Sequence, residues 1–450
     1  MLNAIVMAAG KGTRMHSQSA KTMHKVLDKP MIEHIYDTLK KLETDDIVFV
    51  VGHGKEEIEN YFKDKVHYAI QMPQLGTAHA VSMADILKDK EGKTLIINGD
   101  CPLISADTYH KVLKLADEYP LVLLTVMMDD PGSYGRIVRE GNEVVKIVER
   151  KDCDLKQAEI KEINVGIYCI DNKLLWKYLP EIKNNNKQKE YYITDLVEIF
   201  RNHNLKVGAY CAEDKNEMQG INSRLELIEA TKWLKNKINN YWLNHGITII
   251  DPDSTYISDD VTIGEDTIIY PNVRIEGKCT IGKGNIIEEN TYLNNVSLGD
   301  GNHIIASRIT DSTVGDNVNI GPNAHLRNGC KIGNNCRIGN YVEMKNTIFG
   351  NGSKCAHLTY VGDATVGEKC NFGCGVVTVN YDGKNKFHTE IGNHVFVGSN
   401  VNIIAPVKIE DNTVLAAGST ITDDVAAGDM AIARSRQQVK VGYGLKYLNK

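Results

Sequence analysis

Along the second half of the chain, an aliphatic residue returns at every sixth position. The first run of this pattern consists of Ile257, Ile263, Ile269, Ile275, Ile281, Ile287 and Leu293. Two further runs extend from Val314 to Met344 and from Ile391 to Ile421. An amphipathic helix repeats about every 3.6 residues and a half-buried strand every two, so a period of six indicates a short strand followed by a turn. We therefore predict a parallel β-helix with three such units per turn, in which equivalent positions of successive turns stack at a spacing of about 4.8 Å.

The first half of the chain has a different pattern, in which short apolar runs alternate with polar segments of helical length. The runs are Leu2 to Met7, Ile47 to Val51, Thr94 to Ile97 and Leu121 to Val126. This alternation is typical of a parallel sheet covered by helices, so we predict an α/β fold for the first half. In such sheets ligands bind beyond the carboxyl ends of the strands.

A helical stripe of apolar residues joins the two halves. It consists of Leu225, Ile228, Trp233, Leu234, Ile238, Tyr241 and Trp242. Gly246 follows as a signal for the end of the helix. We predict a domain at 1–223, a linker helix at 224–246 and a β-helix domain with a C-terminal tail at 247–450. We expect the stripe to pack on the first domain or on a neighbouring chain.

The composition narrows the class of partner. The chain has 450 residues, of which 42% are hydrophobic, and a net charge of -6 without long blocks of like charge. These values allow two cores and disfavour a general nucleic-acid binder, so we predict small-molecule partners and no nucleic acid. No apolar stretch approaches the ~18 residues of a membrane span, and the opening run lacks the features of a signal peptide. Since the ten cysteines form no paired CxxC elements, we predict free thiols in a soluble cytoplasmic protein with no membrane partner.

The segment after the first predicted strand is suited to binding phosphate. Gly10 and Gly12 would let backbone N–H groups approach an anion, and Lys11, Arg14 and Lys21 would supply positive charge. An ordinary tight turn would also explain the two glycines.

Asp100 and Asn222 are candidate ligands of a hard cation such as Mg²⁺. Asp100 follows the third predicted strand, where a carboxylate that caps a turn is the alternative. Asn222 precedes the helical stripe, and from the residues alone we favour a helix N-cap at this position over a metal ligand.

The six-residue pattern stops between Asn346 and Thr389, and such departures are where function is expected. The polar segment 380–386 within this stretch predicts an external loop. Just before the break, Arg327 and Lys345 occupy the same position in two successive predicted turns. The β-helix would therefore stack two cations that a bound phosphate would stabilise. A solvated charged face is the alternative.

Three other residues in this half carry candidate chemistry. Ser399 and Ala417 are also separated by one predicted turn, so two small side chains would leave a groove for a long, thin ligand. His357 is a candidate general base because histidine titrates near neutral pH. A structural histidine is the alternative, which we favour from the residue alone.

The chain also resembles a known family of transferases, the bifunctional N-acetylglucosamine-1-phosphate uridylyltransferases and glucosamine-1-phosphate acetyltransferases. In the first half the resemblance rests on AAGKGTRM at 8–15, QLGTAHA at 74–80, NGDCPLI at 98–104, YGRIV at 134–138, IVERKD at 147–152, EINVGIY at 162–168, EYYITD at 190–195 and GINSR at 220–224. It implies a Rossmann-like nucleotidyltransferase domain in which Mg²⁺ is held by Asp100 and Asn222. The implied nucleotide-sugar site consists of Met7, Ala8, Ala9, Gly10, Lys11, Arg14, Lys21, Gln71, Gly76, Thr77, Asn98, Gly99, Asp100, Gly135, Glu149, Asn164 and Asn222.

The second half resembles the hexapeptide acyltransferases, and specifically the acetyltransferase half of the same family. The matching segments are HLRNG at 325–329, IGNYVEMKN at 338–346, HLTYVGD at 357–363, VNYDGKNKFHT at 379–389 and VFVGSNV at 395–401. The resemblance implies a left-handed parallel β-helix with His357 as the general base. It implies a glucosamine 1-phosphate site at Arg327, Lys345, Tyr360 and Asn371. It implies acetyl-CoA contacts at Cys374, Asn380, Tyr381, Ser399, Ala417 and Arg434.

Two reactions follow from this resemblance. Acetyl-CoA would acetylate glucosamine 1-phosphate, and the phosphate of N-acetylglucosamine 1-phosphate would then attack UTP in line, forming UDP-N-acetylglucosamine and pyrophosphate. The second step needs alignment and charge neutralisation but no general base, because the attacking phosphate oxygen is already deprotonated. The resemblance further implies a homotrimer with acetyl-transfer sites between neighbouring chains.

Two other functions fit parts of the sequence. In a single-activity sugar-1-phosphate nucleotidyltransferase, the β-helix would serve only regulation or assembly. In a non-enzymatic scaffold, the β-helix would be a binding platform. We rank the bifunctional enzyme above both, because the first alternative has no need of His357 with Arg327 and Lys345, and the second has no need of the phosphate loop and Asp100.

Overall fold

The computed structural model describes residues 1–141 and 143–448. The chain divides into two compact units, Met1–Leu234 and Lys235–Lys450. The division falls inside one helix, Arg224–Leu243, which covers most of the segment predicted as a linker. The domain boundaries drawn from the sequence remain predictions.

The first unit contains eleven strands within its described residues. They are β1 Leu2–Met7, β2 Lys25–Val26, β3 Lys29–Pro30, β4 Asp46–Val51, β5 His67–Ile70, β6 Lys93–Asn98, β7 Leu121–Met127, β8 Arg136–Glu140, β9 Glu143–Val148, β10 Glu162–Asp171 and β11 Val207–Ala212. The helices are α1 Met31–Lys41, α2 Lys55–Phe62, α3 Thr77–Ser82, α4 Ala106–Leu115, α5 Leu155–Ala158, α6 Asn172–Tyr178, α7 Leu196–Asn202 and α8 Arg224–Leu243. Short 3₁₀ helices lie at Thr13–Met15, Lys21–Met23, Asp85–Leu87, Leu179–Glu181 and Ile193–Asp195.

The central sheet has the strand order β11-β7-β10-β6-β1-β4-β5. The four predicted strands are present as β1, β4, β6 and β7, and apolar side chains fill the cores on both faces. The predicted parallel pairing holds for β6, β1, β4 and β5. It does not extend across the whole sheet, because β10 runs antiparallel to both β6 and β7. After β7 the chain forms the β8–β9 hairpin instead of a long crossover helix, so it returns to the sheet in the opposite direction.

The apolar stripe of helix α8 is not buried along its whole length. Leu227 and Ala230 are buried in the core of the first unit, where Trp233 packs beside them. Leu225 and Ile228, which belong to the predicted stripe, are exposed. The helix therefore presents a narrower apolar face than the predicted stripe.

The described part of the second unit contains 24 strands in one continuous sheet. They are β12 Thr248–Ile249, β13 Tyr256–Ile257, β14 Thr262–Ile263, β15 Ile268–Ile269, β16 Arg274–Glu276, β17 Thr280–Ile281, β18 Ile286–Ile287, β19 Tyr292–Leu298, β20 His303–Ile304, β21 Arg308–Val314, β22 Asn319–Ile320, β23 His325–Arg327, β24 Lys331–Ile332, β25 Arg337–Phe349, β26 Lys354–Val366, β27 Asn371–Phe372, β28 Val377–Val379, β29 Thr389–Ile391, β30 Phe396–Val397, β31 Asn402–Ile404, β32 Val407–Ile409, β33 Val414–Leu415, β34 Thr420–Ile421 and β35 Met430–Ala431. A short helix, α9 Leu445–Leu448, lies in the C-terminal tail.

The pairing of these strands confirms the predicted β-helix. Strands pair in parallel with strands one turn further along, as Ile257 does with Ile275. The aliphatic residues of all three six-residue runs are buried in one elongated core. The period of six therefore corresponds to an inward-facing aliphatic side chain that recurs once in each six-residue unit.

The length of a turn changes along the β-helix. Ile257 pairs with Ile275, three six-residue units further on. Asn340 instead pairs with His357, which comes one position earlier than that spacing requires. Ala364 pairs with Thr389, well beyond the regular spacing, so this turn contains an insertion. The irregular stretch seen in the sequence is thus one shortened turn followed by one extended turn.

Candidate functional sites

In the first unit, the segments after β1 and β6 lie at the same edge of the sheet. Met7 and Asn98, the last residues of these strands, are register partners. The N–H group of Gly99 donates to the carbonyl oxygen of Met7 at 3.0 Å. A Cβ atom at position 99 would lie 2.8 Å from that oxygen, so only glycine fits this approach. The two predicted phosphate and metal segments therefore meet, as parallel neighbours must.

Three predicted site residues, Lys21, Asp100 and Asn222, meet at this edge. Nζ of Lys21 donates to Oδ1 of Asn222 at 2.6 Å and also to Oδ2 of Asp100. The N–H group of Ile221 donates to the carbonyl oxygen of Asp100 at 2.9 Å, which keeps the two segments together. One positive charge thus lies between two oxygen atoms from distant parts of the sequence.

Asn222 does not cap helix α8. The N-cap position belongs to Ser223, whose hydroxyl accepts from the N–H group of Glu226 at 3.3 Å. The Glu226 carboxylate accepts in return from the N–H groups of Ser223 at 2.8 Å and Asn222 at 2.6 Å, which is the arrangement of a capping box. The side-chain oxygen of Asn222 is therefore directed to Lys21 and not to the helix.

The loop after β1 wraps around the stem of Lys21. Gly12 has a φ of 57°, and a Cβ atom there would lie 2.6 Å from Cβ of Lys21. Lys11 and Arg14 are exposed, and a Cβ atom at Gly10 would meet no other atom within 4 Å. The loop thus presents positive side chains and open backbone next to Lys21.

A second group of predicted residues lies around the β8–β9 hairpin. The N–H group of Asn164 donates to the carbonyl oxygen of Gly135 at 2.9 Å. A Cβ atom at Gly135 would lie 3.5 Å from Oε1 of Glu149, so these residues are close neighbours. Burial raises the pKa of Glu149 above its ordinary value. Nδ2 of Asn98 approaches the carbonyl oxygen of Val165 at 3.5 Å, which links this group to the end of β6.

A third group lies at the start of helix α3. Nε2 of Gln71 donates to the carbonyl oxygen of Gly76 at 2.9 Å. Gly76 has a φ of 115°, and a Cβ atom there would lie 2.5 Å from the carbonyl oxygen of Tyr191. The Thr77 hydroxyl accepts from the N–H group of Ile193 at 2.9 Å. These bonds hold the segment in place through contacts with residues 191–193.

In the second unit, Arg327 and Lys345 are register partners on β23 and β25, so the predicted stacking is present. Two nitrogen atoms of Arg327 contact Oε1 of Glu343, Nε at 2.8 Å and Nη2 at 2.5 Å. The ammonium group of Lys386 lies beside Lys345 and lowers the pKa of Lys345. Three cations therefore gather on this face, with the carboxylates of Glu343 and Asp363 nearby.

His357 lies at a corner of the β-helix and is exposed, because the chain turns at Leu358 with a φ of 36°. Its Nδ1 atom lies 3.2 Å from Oδ1 of Asn340, its register partner on β25. An amide oxygen can only accept, so this contact is a hydrogen bond in the tautomer that carries its proton on Nδ1. A general base acting at Nε2 needs that same tautomer.

The residues predicted to contact acetyl-CoA follow one side of the later turns. The carbonyl oxygen of Ser399 accepts from the N–H group of Gly418 at 2.8 Å, and Arg434 donates to the carbonyl oxygen of Ala417 at 2.8 Å. The carbonyl oxygen of Cys374 accepts from the N–H group of Asn400 at 2.7 Å. Of the remaining predicted residues in this unit, Tyr360 is half-buried and in register with Glu343. Asn371 and Tyr381 are exposed. Asn380 is buried beside Asp363.

Three residues that contact these sites have no role predicted from the sequence. Gln74 donates to the carbonyl oxygen of Ala9, Asn340 orients His357, and Lys386 joins the cation group. The sequence signal for Asn340 is its spacing from His357, which is one position less than a regular turn. That signal is visible only once the shortened turn is known.

Comparison with known proteins identifies the family of both units. The family model for Nucleotidyl transferase matches residues 3–247, and that for Bacterial transferase hexapeptide (six repeats) matches 260–295, 311–346 and 388–423. Proteins named Bifunctional protein GlmU are similar over nearly the whole chain. The one from Shouchella clausii is 46% identical over 445 residues, covering 98% of each chain. Those from Clostridium beijerinckii and Listeria monocytogenes are also 46% identical, covering 97% and 99% of this chain and 96% and 98% of their own. This chain belongs to the GlmU family.

Membership of the GlmU family confirms the resemblance that the sequence motifs predicted. The two family models also confirm that a nucleotidyltransferase half precedes a hexapeptide transferase half, as the α/β sheet and the β-helix do in the structure. Among the described residues, no helix combines the length and the apolar character required to cross a bilayer.

Proposed function

We propose that this chain makes UDP-N-acetylglucosamine by two transfers at two separate sites. The second unit transfers the acetyl group of acetyl-CoA to glucosamine 1-phosphate. The first unit then transfers the uridylyl group of UTP to N-acetylglucosamine 1-phosphate and releases pyrophosphate. The observation that carries this proposal is that each unit contains its own group of cations beside the residues its chemistry needs.

In the uridylyl site, the Lys21, Asp100 and Asn222 group and the exposed Lys11 and Arg14 would meet the phosphates of the substrates. The sugar phosphate already carries a negative oxygen, so the site has to align it and neutralise charge. Glycine backbone after β1 leaves room for a phosphate to approach N–H groups. The groups around Gln71 to Thr77 and around Glu149 would bind the rest of the nucleotide sugar.

The donor atoms at Asp100 and Asn222 fit Mg²⁺. Both are hard oxygen atoms, and both lie within hydrogen-bonding reach of a single atom. Mg²⁺ commonly binds one or two protein oxygens and completes its shell with substrate phosphates and water. The described residues contain no group of three or more His, Cys, Asp or Glu side chains placed to hold a metal. When bound, the ion would neutralise charge on the phosphates.

In the acetyl site, His357 would remove a proton from the substrate ammonium group so that the amine can attack the thioester. Arg327, Lys345 and Lys386 would hold the sugar phosphate. Tyr360 and Asn371 would contact the amino sugar. Acetyl-CoA would lie along Cys374, Asn380, Tyr381, Ser399, Ala417 and Arg434.

The alternative of a single-activity nucleotidyltransferase is less well supported. A β-helix that serves only assembly has no need for an exposed histidine in contact with Asn340 or for three cations on one face. Three cations beside the carboxylates of Glu343 and Asp363 leave a net positive charge that an anionic ligand would neutralise, so their presence favours a phosphate site.

Separate substitutions in the two sites test the proposal. His357→Ala should abolish acetyl transfer and leave uridylyl transfer near the wild-type rate, and Asp100→Ala should do the reverse. Release of free thiol and of pyrophosphate would be measured separately, with glucosamine 1-phosphate, acetyl-CoA, UTP and Mg²⁺. His303→Ala, which removes a β-helix histidine paired with Glu288, is the matched control. Loss of both activities from either site variant would contradict two independent sites.

We further propose that the protein is a cytoplasmic homotrimer with acetyl sites between neighbouring chains. Ser399, Ala417 and Arg434 are exposed along one side of the β-helix, which is compatible with a neighbouring chain at this site. Sedimentation equilibrium should give three times the chain mass of 50.1 kDa. A monomer at micromolar concentration with full acetyl transfer would contradict this assembly.

A further inference from the structure

The extended turn of the β-helix forms a small hairpin, residues 380–388, which we call the insertion hairpin. Tyr381 and Lys386 form an antiparallel bridge, and the N–H group of Phe387 donates to the carbonyl oxygen of Asn380 at 2.9 Å. At its tip, Oδ1 of Asp382 accepts from two backbone N–H groups, those of Lys384 at 2.8 Å and Asn385 at 2.7 Å. The hairpin is therefore bonded within itself, and its position depends on how its base is attached.

Both ends of the insertion hairpin are attached to strand β26. At one end, Nδ2 of Asn380 donates to Oδ2 of Asp363 at 2.5 Å. At the other end, Nε2 of His388 lies 2.9 Å from Oγ1 of Thr365. Asn380 is 8% exposed and Asp363 is half-buried, and the bond between them is charge-assisted because its acceptor is a carboxylate.

The second oxygen of Asp363 joins the same carboxylate to the cation group. Oδ1 of Asp363 accepts from Nδ2 of Asn346 at 2.8 Å, and Asn346 directly follows Lys345. The negative charge of Asp363 also opposes the effect of Lys386 on the pKa of Lys345. One side chain thus contacts the base of the hairpin and the turn that carries a phosphate-binding lysine.

An earlier turn provides a comparison for this arrangement. Asp311 has a φ of 46°, close to the 48° of Asp363, and its Oδ1 accepts from Nδ2 of Asn295 at 3.1 Å. The ladder of Asn and Asp side chains is therefore a repeated feature of this corner. The bond from Oδ2 to an inserted hairpin is what distinguishes Asp363 from Asp311.

We propose that Asp363 is a positioning residue for acetyl transfer, which anchors the insertion hairpin so that Asn380 faces the coenzyme and Lys386 faces the sugar phosphate. This inference rests on the proposed function of the second unit. A carboxylate accepts hydrogen bonds and cannot donate them, so it sets the orientation of the Asn346 and Asn380 amides together. It also supplies the negative charge that lets Lys345 and Lys386 stay close before the substrate binds.

The substitution Asp363→Asn tests this role with little change in shape. An amide at this position has one acceptor and one donor atom, so it cannot accept from both Asn346 and Asn380 in their present orientations. We expect the KM for acetyl-CoA and the KM for glucosamine 1-phosphate each to rise roughly tenfold or more, because small displacements of binding groups have effects of this size. Uridylyl transfer by the same protein should be unchanged, and Asp311→Asn should alter neither activity.

Hydrogen exchange measured by mass spectrometry gives a readout that does not depend on activity. Peptides covering residues 380–388 should exchange several times faster in Asp363→Asn than in the wild type or in Asp311→Asn, while the thermal midpoint stays within a few degrees. If Asp363→Asn lowers the midpoint of thermal unfolding by more than a few degrees, Asp363→Ala provides a second variant. Unchanged exchange in the hairpin, or unchanged KM values with faster exchange, would overturn the proposal. Absence of acetyl transfer in the wild type would instead overturn the proposed function, while the exchange comparison would still decide whether Asp363 anchors the hairpin.

Discussion

The ammonium group of Lys21 donates a hydrogen bond of 2.6 Å to the side-chain oxygen of Asn222, across 201 positions of sequence. The same group contacts the carboxylate of Asp100. These are the two oxygen atoms that we propose for Mg²⁺, so a bound ion and the lysine would compete for them. Since two cations at one position repel each other, the oxygens would hold the ion best with Lys21 directed to the phosphates of the substrate.

Removing the charge of Lys21 should therefore strengthen metal binding in the absence of nucleotide. In Lys21→Met, we expect the affinity for Mn²⁺, used as a spectroscopic substitute for Mg²⁺, to rise about tenfold, because a competing charge next to Asp100 is lost. Uridylyl transfer should fall at least a hundredfold, because a positive charge on the phosphates is lost as well. Electron paramagnetic resonance titration measures the first effect and pyrophosphate release the second.

Lys25→Met is the control for this experiment, because Lys25 is an exposed lysine on β2 close in sequence. Lys25→Met should change neither the affinity for Mn²⁺ nor the rate of uridylyl transfer. Weaker Mn²⁺ binding by Lys21→Met than by the wild type would contradict the competition between Lys21 and the ion.

At the start of helix α8, Ser223 is the N-cap and Asn222 is the proposed metal ligand, and this difference gives a second prediction. Ser223→Ala should lower the free energy of unfolding by about 1 kcal/mol, as loss of an N-cap does, and should leave Mn²⁺ binding unchanged. Asn222→Ala should have the opposite pattern, with weaker Mn²⁺ binding and little loss of stability. Urea denaturation and metal titration of both variants would check this, and a larger stability loss for Asn222→Ala would restore the N-cap interpretation.

The lowered pKa of Lys345 gives a prediction about pH. Its neighbour Lys386 is the largest cause of the shift, so Lys345 loses its proton at a lower pH than an ordinary lysine. Because the ammonium form binds phosphate, the affinity for glucosamine 1-phosphate should decline as the pH rises above neutrality towards the pKa of Lys345. In Lys386→Met the decline should move to higher pH, while the affinity at pH 7 falls severalfold because one cation is missing.

Calorimetric titration between pH 7 and pH 10 would measure this effect without a contribution from the rate of acetyl transfer. Lys384→Met removes another exposed lysine from the same hairpin and should leave the profile unchanged. A Lys386→Met profile that declines at the same pH as the wild type would show that Lys386 does not cause the shift.

Asp195 gives a prediction about stability in the first unit. Burial, with Glu198 and Asp152 nearby, raises the pKa of Asp195 from 3.8 to about 6. The folded state therefore holds this proton more tightly than the unfolded state, so the contribution of Asp195 to stability falls as the pH rises from about 4 to 6. Asp195→Asn should increase the free energy of unfolding at pH 7 by about 1 kcal/mol, reduced from the full value because the group still contacts water.

This gain should disappear below pH 4, where Asp195 is protonated in both states. Denaturation curves at pH 4 and pH 7 would test it, with the exposed Asp89→Asn as the control. If Asp195→Asn raised the free energy of unfolding equally at pH 4 and pH 7, the charge of the carboxyl group would not be the cause of the gain.

The parts of this structure that could be predicted from the sequence are those that repeat or that lie at strand ends. Ile257 and its successors specify the β-helix because each inward position recurs after six residues. The meeting of Met7 and Asn98 follows from the rule that neighbouring parallel strands end at one edge. The antiparallel strand β10 could not be predicted in this way, because its direction depends on the hairpin before it and not on its own apolar residues.

The sequence by itself determined the two fold types, the family and the short segments in which the candidate residues occur, because periodicity and motifs are local properties of the chain. Only the tertiary structure decided that Asn222 contacts Lys21, that Lys386 lies beside Lys345, and that Asp363 contacts the base of the insertion hairpin. Each of these contacts depends on the length of a turn or on a hydrogen bond between distant residues. Such lengths and bonds are set by packing in three dimensions, and no pattern along the chain specifies them.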